Sequence, residues 1–205
     1  MTKLFFAAVL FALNPLLTAS QVTALLEHNA VDVSSSTGCA RCAVLHDPLS
    51  GFGRLDVARA VAALTAGQVP PPDRFETNDD AGSQAHTMWG KRIRIAATLD
   101  YYEDPVDVYR IVLGPHERLT GTVTGDWPGA RVRLTLWKPP TKRVDVVGSR
   151  TLRAAQSAGH GATQRLSFTA PGRGWYFVEV RASKPGYGPY TLMLSKAQAS
   201  SQPRA

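Results

Sequence analysis

Residues 92–99 read RIRIAATL, and apolar side chains occupy every second position from Ile93 to Leu99. In a β-strand, side chains two positions apart share one face, so this pattern predicts a strand with one buried face. The same alternation recurs at 109–113, 119–123, 132–136, 166–168, 176–180 and 190–194. Seven short strands separated by glycine and proline predict an antiparallel, jelly-roll-like β-sandwich. We expect the connection 138–163, rich in Arg, Ser and Gly, to be a mobile loop.

The size and composition of the chain are those of a globular protein. Its 205 residues correspond to one domain or two small ones, and 44% of them are hydrophobic against 19% charged. The only long apolar run covers residues 4–13, about half of what a membrane-spanning helix needs. We therefore expect no membrane span.

Charge is distributed unevenly along the chain, whose net charge is +7. Residues 73–107 hold eight acidic against four basic side chains, and residues 131–205 hold thirteen basic against two acidic. A basic half can attract nucleic acid or an anionic polysaccharide. Its basic residues are scattered over alternating strands without a basic run or a nucleic-acid motif, so we expect a solvated basic face and no nucleic-acid partner.

The first third of the chain is predicted to be helical. An apolar helix at 4–13 ends before Pro15, because the residue that precedes a proline disfavours helical dihedrals. Thr18 followed by Gln21 is typical of a capping box that opens a second helix, and a third helix begins near Leu55. Their apolar positions recur at helical spacing and need a partner surface. These positions are Val22, Leu25, Leu26, Val57, Val61 and Leu64.

A secretory signal peptide is an alternative interpretation of the opening residues. Lys3 would supply the charged beginning, the apolar decad follows, and Ala19 is a candidate cleavage point. The mature protein would then begin near Ser20.

The chain has two cysteines, Cys39 and Cys42, for which three interpretations compete. They are a disulfide in an exported protein, a thioredoxin-like redox pair, and half of a zinc site. A redox pair belongs at the start of a helix, whereas this pair follows a Ser/Thr/Gly stretch typical of a loop. Zinc needs two further ligands, and only His28 and His46 lie nearby. We favour the disulfide and a secreted location.

The triple proline at 70–72 is typical of a stiff spacer between domains. It divides the chain into two parts, one α-helical and one all-β. We predict a helical segment at 1–64, a linker at 65–72, a sandwich at 73–195 and a tail at 196–205.

Three elements of the helical part resemble the C-terminal end of the catalytic domain of subtilisin-like serine proteases. They are NPLLT at 14–18, the helix through Leu26, and GRLDV at 53–57. In that family, the apolar helix before the Asn-Pro turn directly follows the nucleophile. The resemblance covers residues 4–64 and implies that they are a helical remnant of an α/β catalytic domain.

The second part resembles the bacterial pre-peptidase C-terminal domain, a β-sandwich often appended to secreted proteases. The matching stretches are DRFETNDD at 73–80, DPVDVY at 104–109, GWYFVEV at 174–180 and GYGPYTL at 186–192. They follow the order of the family. The two resemblances in tandem imply the C-terminal part of a secreted serine endopeptidase.

The chain itself lacks the residues for that reaction. A serine protease needs a nucleophile, a base and an acid that orients the base. Subtilisin-like enzymes carry Gly-Thr-Ser just before the apolar helix, and this chain contains neither that motif nor Gly-x-Ser-x-Gly. We therefore predict no catalytic residue and no peptide hydrolysis, with the triad encoded upstream and the rest of the catalytic domain as partner. The alternative is a noncatalytic exported binding module.

Glu76, Asn78 and Asp79 (or Asp80 in its place), together with Asp104 and Asp107, are candidate calcium ligands. Calcium takes six to eight oxygens from carboxylates, amides and backbone. In the related collagen-binding domains of clostridial collagenases the matching residues hold calcium, and the resemblance implies the same here. Those relatives carry a further carboxylate where this chain has Arg74. In the alternative, Asn78 and the aspartates cap turns and Arg74 pairs with a carboxylate.

Exposed aromatic residues anchor many recognition surfaces, and this chain could bind an extracellular protein or polysaccharide through them. Filling of the core is the alternative. The candidates are Trp89, Trp127, Trp137, Trp175, Tyr101, Tyr102, Tyr187 and Tyr190.

Overall fold

A computed structural model describes residues 2–44, 46–71, 73–144 and 149–198. The chain divides into two compact units, residues 1–72 and residues 73–205.

The first unit contains three α-helices, α1 (Thr2–Leu13), α2 (Ala19–His28) and α3 (Val57–Thr65), with a short 3₁₀ helix at Ser35–Thr37. The predicted capping box opens α2. The backbone N–H of Gln21 donates to Thr18 Oγ1 at 3.2 Å, and the N–H of Thr18 donates to Gln21 Oε1 at 3.0 Å. Asp56 caps α3 in a similar way by accepting from the N–H of Arg59 at 3.0 Å.

The helices supply part of the partner surface that their apolar residues need. Their small core consists of Leu10, Leu17, Val22, Leu25, Ala60 and Ala63. Val57, Val61 and Leu64 are only half-buried, because α3 directs its alanines into this core. Several large apolar side chains stay in contact with solvent, among them Leu16, which is 89% exposed.

The predicted linker is shorter than expected. Residues 65–70 belong to the helical unit, because Val69 packs against its core and Gln21 Nε2 donates to the carbonyl of Pro70 at 2.6 Å. Pro72 lies outside the described residues.

The second unit is a β-sandwich, as predicted from the alternating apolar positions. Its strands are β1 (His86–Thr87), β2 (Arg92–Asp100), β3 (Val106–Leu113), β4 (Glu117–Gly125), β5 (Val132–Trp137), β6 (Arg153–Gln156), β7 (Thr163–Thr169), β8 (Gly174–Ala182) and β9 (Tyr187–Gln198).

The strands form two sheets with the orders β1-β3-β8-β5-β6 and β2-β9-β4-β7. All neighbouring strands are antiparallel except the short pair of β1 with β3. Apart from β1, these orders match the eight-stranded jelly roll. The two sheets face each other across one core, whose largest fully buried side chains include Tyr109, Tyr190, Leu119 and Leu134.

Two strands, β1 and β6, were not predicted, and one boundary differs from the prediction. The connection 138–163 is not only a loop, since it contains a 3₁₀ helix at Ser149–Leu152 and the edge strand β6, which pairs with β5. Its residues 145–148 lie outside the described part of the chain. β9 continues to Gln198, three residues into the predicted tail at 196–205, and residues 199–205 lie outside the described part of the chain.

A second apolar cluster covers part of the outer face of the five-stranded sheet. It is formed by Ala81, Ala85, Val106, Val108, Trp137, Val144 and Phe177. Within the described ranges, no helix has both the length and the apolar character needed to cross a bilayer.

Candidate metal site

Four carboxylates converge where the chain enters the sandwich. One oxygen from each of Asp73, Glu76, Asp104 and Asp107 lies within 4.8 Å of the others. Asp73 and Glu76 precede the first strand, Asp104 ends the turn between β2 and β3, and Asp107 lies at the start of β3. Two segments separated in sequence therefore meet at one end of the sandwich.

Asp73 is held in place by backbone donors. Its Oδ1 accepts from the N–H of Phe75 at 2.8 Å, and its Oδ2 accepts from the N–H of Thr98 in β2 at 2.8 Å. The carboxylate thus joins the entering segment to the four-stranded sheet.

Asp107 is anchored from the core side by two tyrosines. The side chain of Asp107 is fully buried. Its Oδ2 accepts hydrogen bonds from Tyr190 Oη and, at 3.2 Å, from Tyr109 Oη, and the two hydroxyls lie 2.7 Å apart. Tyr109 belongs to β3 and Tyr190 to β9, so the network joins both sheets behind the carboxylate.

Asn78 contributes an amide to the same place. It is fully buried, and its backbone carbonyl accepts from the N–H of Val108 at 2.7 Å. Its side-chain nitrogen donates to Glu76 Oε1 at 3.0 Å and to Asp107 Oδ1 at 3.2 Å. The amide therefore lies against two of the carboxylates.

Positive charge is missing from this cluster. Over residues 2–44, 46–71, 73–144 and 149–198, no lysine or arginine forms an ion pair with the four carboxylates. Arg74 does not pair with them as the alternative interpretation expected, since its guanidinium lies over the ring of Phe75 at 4.9 Å from the centroid. Asp104 Oδ1 is buried without a hydrogen-bond partner. A buried, unpaired carboxylate oxygen is the kind of group that a cation satisfies.

The electrostatics of the cluster disfavour four ionised groups. Glu76 is an exposed residue whose carboxyl group is only partly buried; this partial burial, and then the charges of Asp79 and Asp73, raise its pKa to about 7. Burial, followed by the charges of Glu76 and Asp73, raises the pKa of Asp104 to about 8. Burial and the charge of Asp104 raise the pKa of Asp107 well above its usual range. A bound divalent cation would oppose these shifts.

The structure groups four of the five predicted ligands, Glu76, Asn78, Asp104 and Asp107, and adds Asp73. Asp79 is exposed and lies outside the grouped carboxylates. Asp80 caps a turn instead: its Oδ1 accepts from the N–H groups of Ala81 and Val144, and its Oδ2 lies 3.2 Å from Arg143 Nε.

The structure also places the two cysteines and four of the eight aromatic candidates. Cys39 and Cys42 form a disulfide. Trp137 and Tyr190 are buried. Trp89 and Trp175 are 69% and 38% exposed, and their ring centroids lie 5.4 Å apart in an edge-to-face arrangement.

Comparisons with known proteins add the following. No protein-family model matches the chain, and no curated protein matches it. Among solved structures, the chain is similar to the pre-peptidase C-terminal domain of a collagenase from Bacillus anthracis, with 20% identity, a TM-score of 0.44, and coverage of 54% of this chain and 94% of that chain.

Two further solved structures are similar at lower identity. PliG from Aeromonas hydrophila, a periplasmic inhibitor of g-type lysozyme, has 12% identity, a TM-score of 0.43, and coverage of 55% and 96% of the two chains. CorA, a surface-associated copper-binding protein of Methylomicrobium album BG8, has 11% identity, a TM-score of 0.43, and coverage of 54% and 97%.

Proposed function

We propose that the sandwich is a noncatalytic accessory domain that binds calcium through Asp73, Glu76, Asp104 and Asp107, with Asn78 beside them. The observation that carries this proposal is the convergence of four carboxylates within 4.8 Å, with no basic side chain of the described residues paired to them. The unpartnered Oδ1 of Asp104 supports it independently.

The donor set favours calcium over softer metals. The grouped donors are carboxylate oxygens, which hard cations prefer, and the cluster contains no histidine or cysteine. The four carboxylates hold eight oxygens, so two-oxygen binding by some of them, together with water, would reach the six to eight that calcium takes. The Asn78 amide would add an oxygen only after turning its nitrogen away from Glu76 and Asp107. Zinc and copper sites, in contrast, commonly use imidazole or thiolate.

The consequence of binding is structural rather than catalytic. A cation held by these side chains ties the segment at 73–78 to the start of β3 and offsets the repulsion among the carboxylates. Because Asp107 also accepts hydrogen bonds from tyrosines of both sheets, the cation would connect the segment at 73–78 to the core of the sandwich.

Calorimetric titration of chelator-treated protein with calcium tests this proposal, with magnesium as the comparison ion. Magnesium demands near-octahedral geometry and keeps most of its water, so we expect calcium to bind more tightly. Absence of a binding heat at millimolar calcium would remove the proposal.

We further propose that the chain is part of a secreted subtilisin-like serine protease, with the triad supplied by polypeptide outside these 205 residues. The segments at 14–18 and 53–57 support this proposal, as does the solvent exposure of large apolar side chains such as Leu16. The disulfide supports an exported location, because disulfides persist in oxidising compartments.

Reading the genomic DNA before the start codon tests the proposed parent. An in-frame segment encoding Gly-Thr-Ser is expected. The purified chain should not cleave casein or react with an active-site serine probe, and labelling of any serine would contradict the absence of a nucleophile.

A second candidate function is that of an exported binding module for protein or polysaccharide. The exposed pair of Trp89 and Trp175 favours it, since aromatic side chains in contact with solvent supply contact area at low entropic cost. Co-sedimentation of the protein with insoluble polysaccharides and with fibrous proteins, before and after Trp89→Ala, tests this function. Equal recovery of both proteins in the pellets would exclude this surface.

A further inference from the structure

The outer face of the four-stranded sheet carries an ordered set of basic and hydroxyl side chains. Strand pairing aligns them into two rows across the sheet. The first row is Arg94, Met193, Thr122 and Arg165, and the second is Arg92, Ser195, Thr120 and Ser167. Arg118 lies further along β4 on the same face. We call these nine residues the arginine face.

The four arginines of this face are exposed and lack acidic partners. None of them forms an ion pair with any described carboxylate. Arg118 Nε donates to Ser167 Oγ at 2.9 Å, a neutral partner that leaves its charge uncompensated. On the outward positions of the four strands, the one carboxylate is Asp100, six residues along β2 from Arg94, or about 20 Å.

The face also contains a shallow depression of about 370 Å³ between β4 and β7. It is lined by Thr120, Thr122, Arg165 and Ser167, together with Gly121 and Leu166. Hydroxyl groups therefore surround one of the arginines. Such groups form hydrogen bonds with either donors or acceptors of a ligand.

The spacing of the arginines fits a ligand with repeated negative charges. Adjacent strands lie about 4.8 Å apart, so Arg94 and Arg165, on the two edges of the sheet, are separated by about 14 Å. Arg92 and Arg94 are about 7 Å apart along one strand. A small anion would occupy one of these positions, whereas a polymer can contact several at once.

We propose that the arginine face binds an anionic polysaccharide, one with carboxylate or sulfate groups along an extended chain. The planar guanidinium of arginine forms paired hydrogen bonds with such oxyanions. The serine and threonine hydroxyls match the hydroxyls of the sugar rings, and the side chain of Met193, 52% exposed, offers an apolar contact between them.

Nucleic acid fits this face less well. Single strands are held largely by stacking of bases on aromatic rings, and the nine residues include no aromatic ring. Duplex DNA is read by a helix or ribbon that enters a groove, whereas these residues lie on one face of a sheet. The arginine face shares no residue with the carboxylate cluster or the tryptophan pair, so the proposal does not depend on either function above.

The test uses the full chain, with heparin as a sulfated polysaccharide and polygalacturonate as a carboxylated one. Neutral dextran and a short DNA duplex are the comparison ligands, and binding is measured by calorimetry in chelator and again in calcium. Arg94→Ser with Arg165→Ser is the test variant. Arg133→Ser with Lys184→Ser is the matched control, because it removes the same charge from exposed positions outside the face.

We expect the test variant to lose about tenfold or more in affinity for a charged polysaccharide and the control to lose less than about threefold. The affinity of the parent protein should fall steeply with salt, and the test variant should show a shallower dependence. Equal losses in the two variants, no binding of either polysaccharide by the parent protein, or tighter binding of the duplex would overturn the proposal. If the test variant does not melt cooperatively, Arg92→Ser with Arg118→Ser replaces it under the same criteria.

Discussion

Replacing Asp104 with Asn is expected to leave the metal-free sandwich at least as stable as the parent and to abolish its stabilisation by calcium. Burial and neighbouring charges raise the pKa of Asp104 to about 8, so at pH 7 the metal-free site favours a proton on this group. Asparagine has a similar shape and no charge. It therefore preserves the protonated form while removing a carboxylate that a cation would need.

The size of the expected calcium effect follows from mass action. Extracellular calcium modules bind with Kd values of about 10⁻⁴ to 10⁻³ M. At about 10 mM calcium, roughly one hundred times a Kd at the tight end of this range, a ligand that binds only the folded state stabilises it by about 2.7 kcal/mol. For a domain of about 125 residues, 1 kcal/mol corresponds to roughly 3–5 °C in Tm, so the parent protein should gain about 10 °C.

Melting curves followed by circular dichroism at pH 7, in chelator and in about 10 mM calcium, measure this effect. Asp126→Asn is the matched control, since Asp126 is exposed after β4 and lies outside the cluster. The control should retain the full calcium shift. A parent protein that melts at the same temperature in both buffers, or an Asp104→Asn variant that keeps its shift, would refute the reasoning. If that variant is unfolded in chelator, the metal-free fold needs the charge of Asp104, and the prediction that the substitution preserves stability is wrong.

Three further predictions concern the sandwich. Folding raises the pKa of Asp104 from 3.8 to about 8, so between about pH 4 and pH 8 the unfolded state binds fewer protons than the folded state. The stability of the metal-free protein should therefore fall as pH rises from about 4 to 8, and this fall should be smaller in calcium. A urea midpoint that rises over this range would contradict that sign. Tyr190→Phe removes a donor to Asp107 and should cost about 1–3 kcal/mol, so an unchanged urea midpoint would count against the network. Gly188→Ala places a Cβ 2.8 Å from Trp127 Cβ at a φ of +154°, so it should lower the unfolding free energy by at least about 1 kcal/mol. A urea midpoint equal to that of the parent would show that Trp127 has room to move.

The sandwich was predictable because its strands follow a simple rule. Strands with one buried face place apolar residues at every second position, and seven of the nine strands do so clearly. β1 has only two residues, and β6 reads RAAQ at 153–156 with no large apolar side chain, so neither has a detectable pattern. They are recognisable only from the backbone of β3 and β5, with which they pair.

The helical unit was less predictable than the sandwich. Helical spacing identified α2 and α3, but spacing does not determine which apolar residues face a neighbour. On α3 the small side chains of Ala60 and Ala63 are buried, while the larger Val61 and Leu64 remain half-buried. The choice depends on how closely the helices approach, which is a property of the packed structure.

The carboxylate cluster was predicted in composition but not in full. Asp73 was not among the predicted ligands, although an aspartate directly after a proline run is a visible signal for a turn or cap. Asp79 follows the fully buried Asn78 but is itself exposed. Whether a residue of this irregular segment is buried, as Asn78 is, or exposed, as Asp79 is, depends on the packed structure and not on the order of residue types.

The position of Asp73 at the first residue of the sandwich gives the proposed site a consequence for processing. Arg74, the next residue, is exposed and is a potential cleavage site for trypsin-like enzymes. Loss of the cation would weaken the attachment of this peptide bond to the folded domain. The junction should then be cut readily in surroundings poor in calcium and resist cutting where calcium is plentiful, so the ion content of a compartment would determine where the two units are separated.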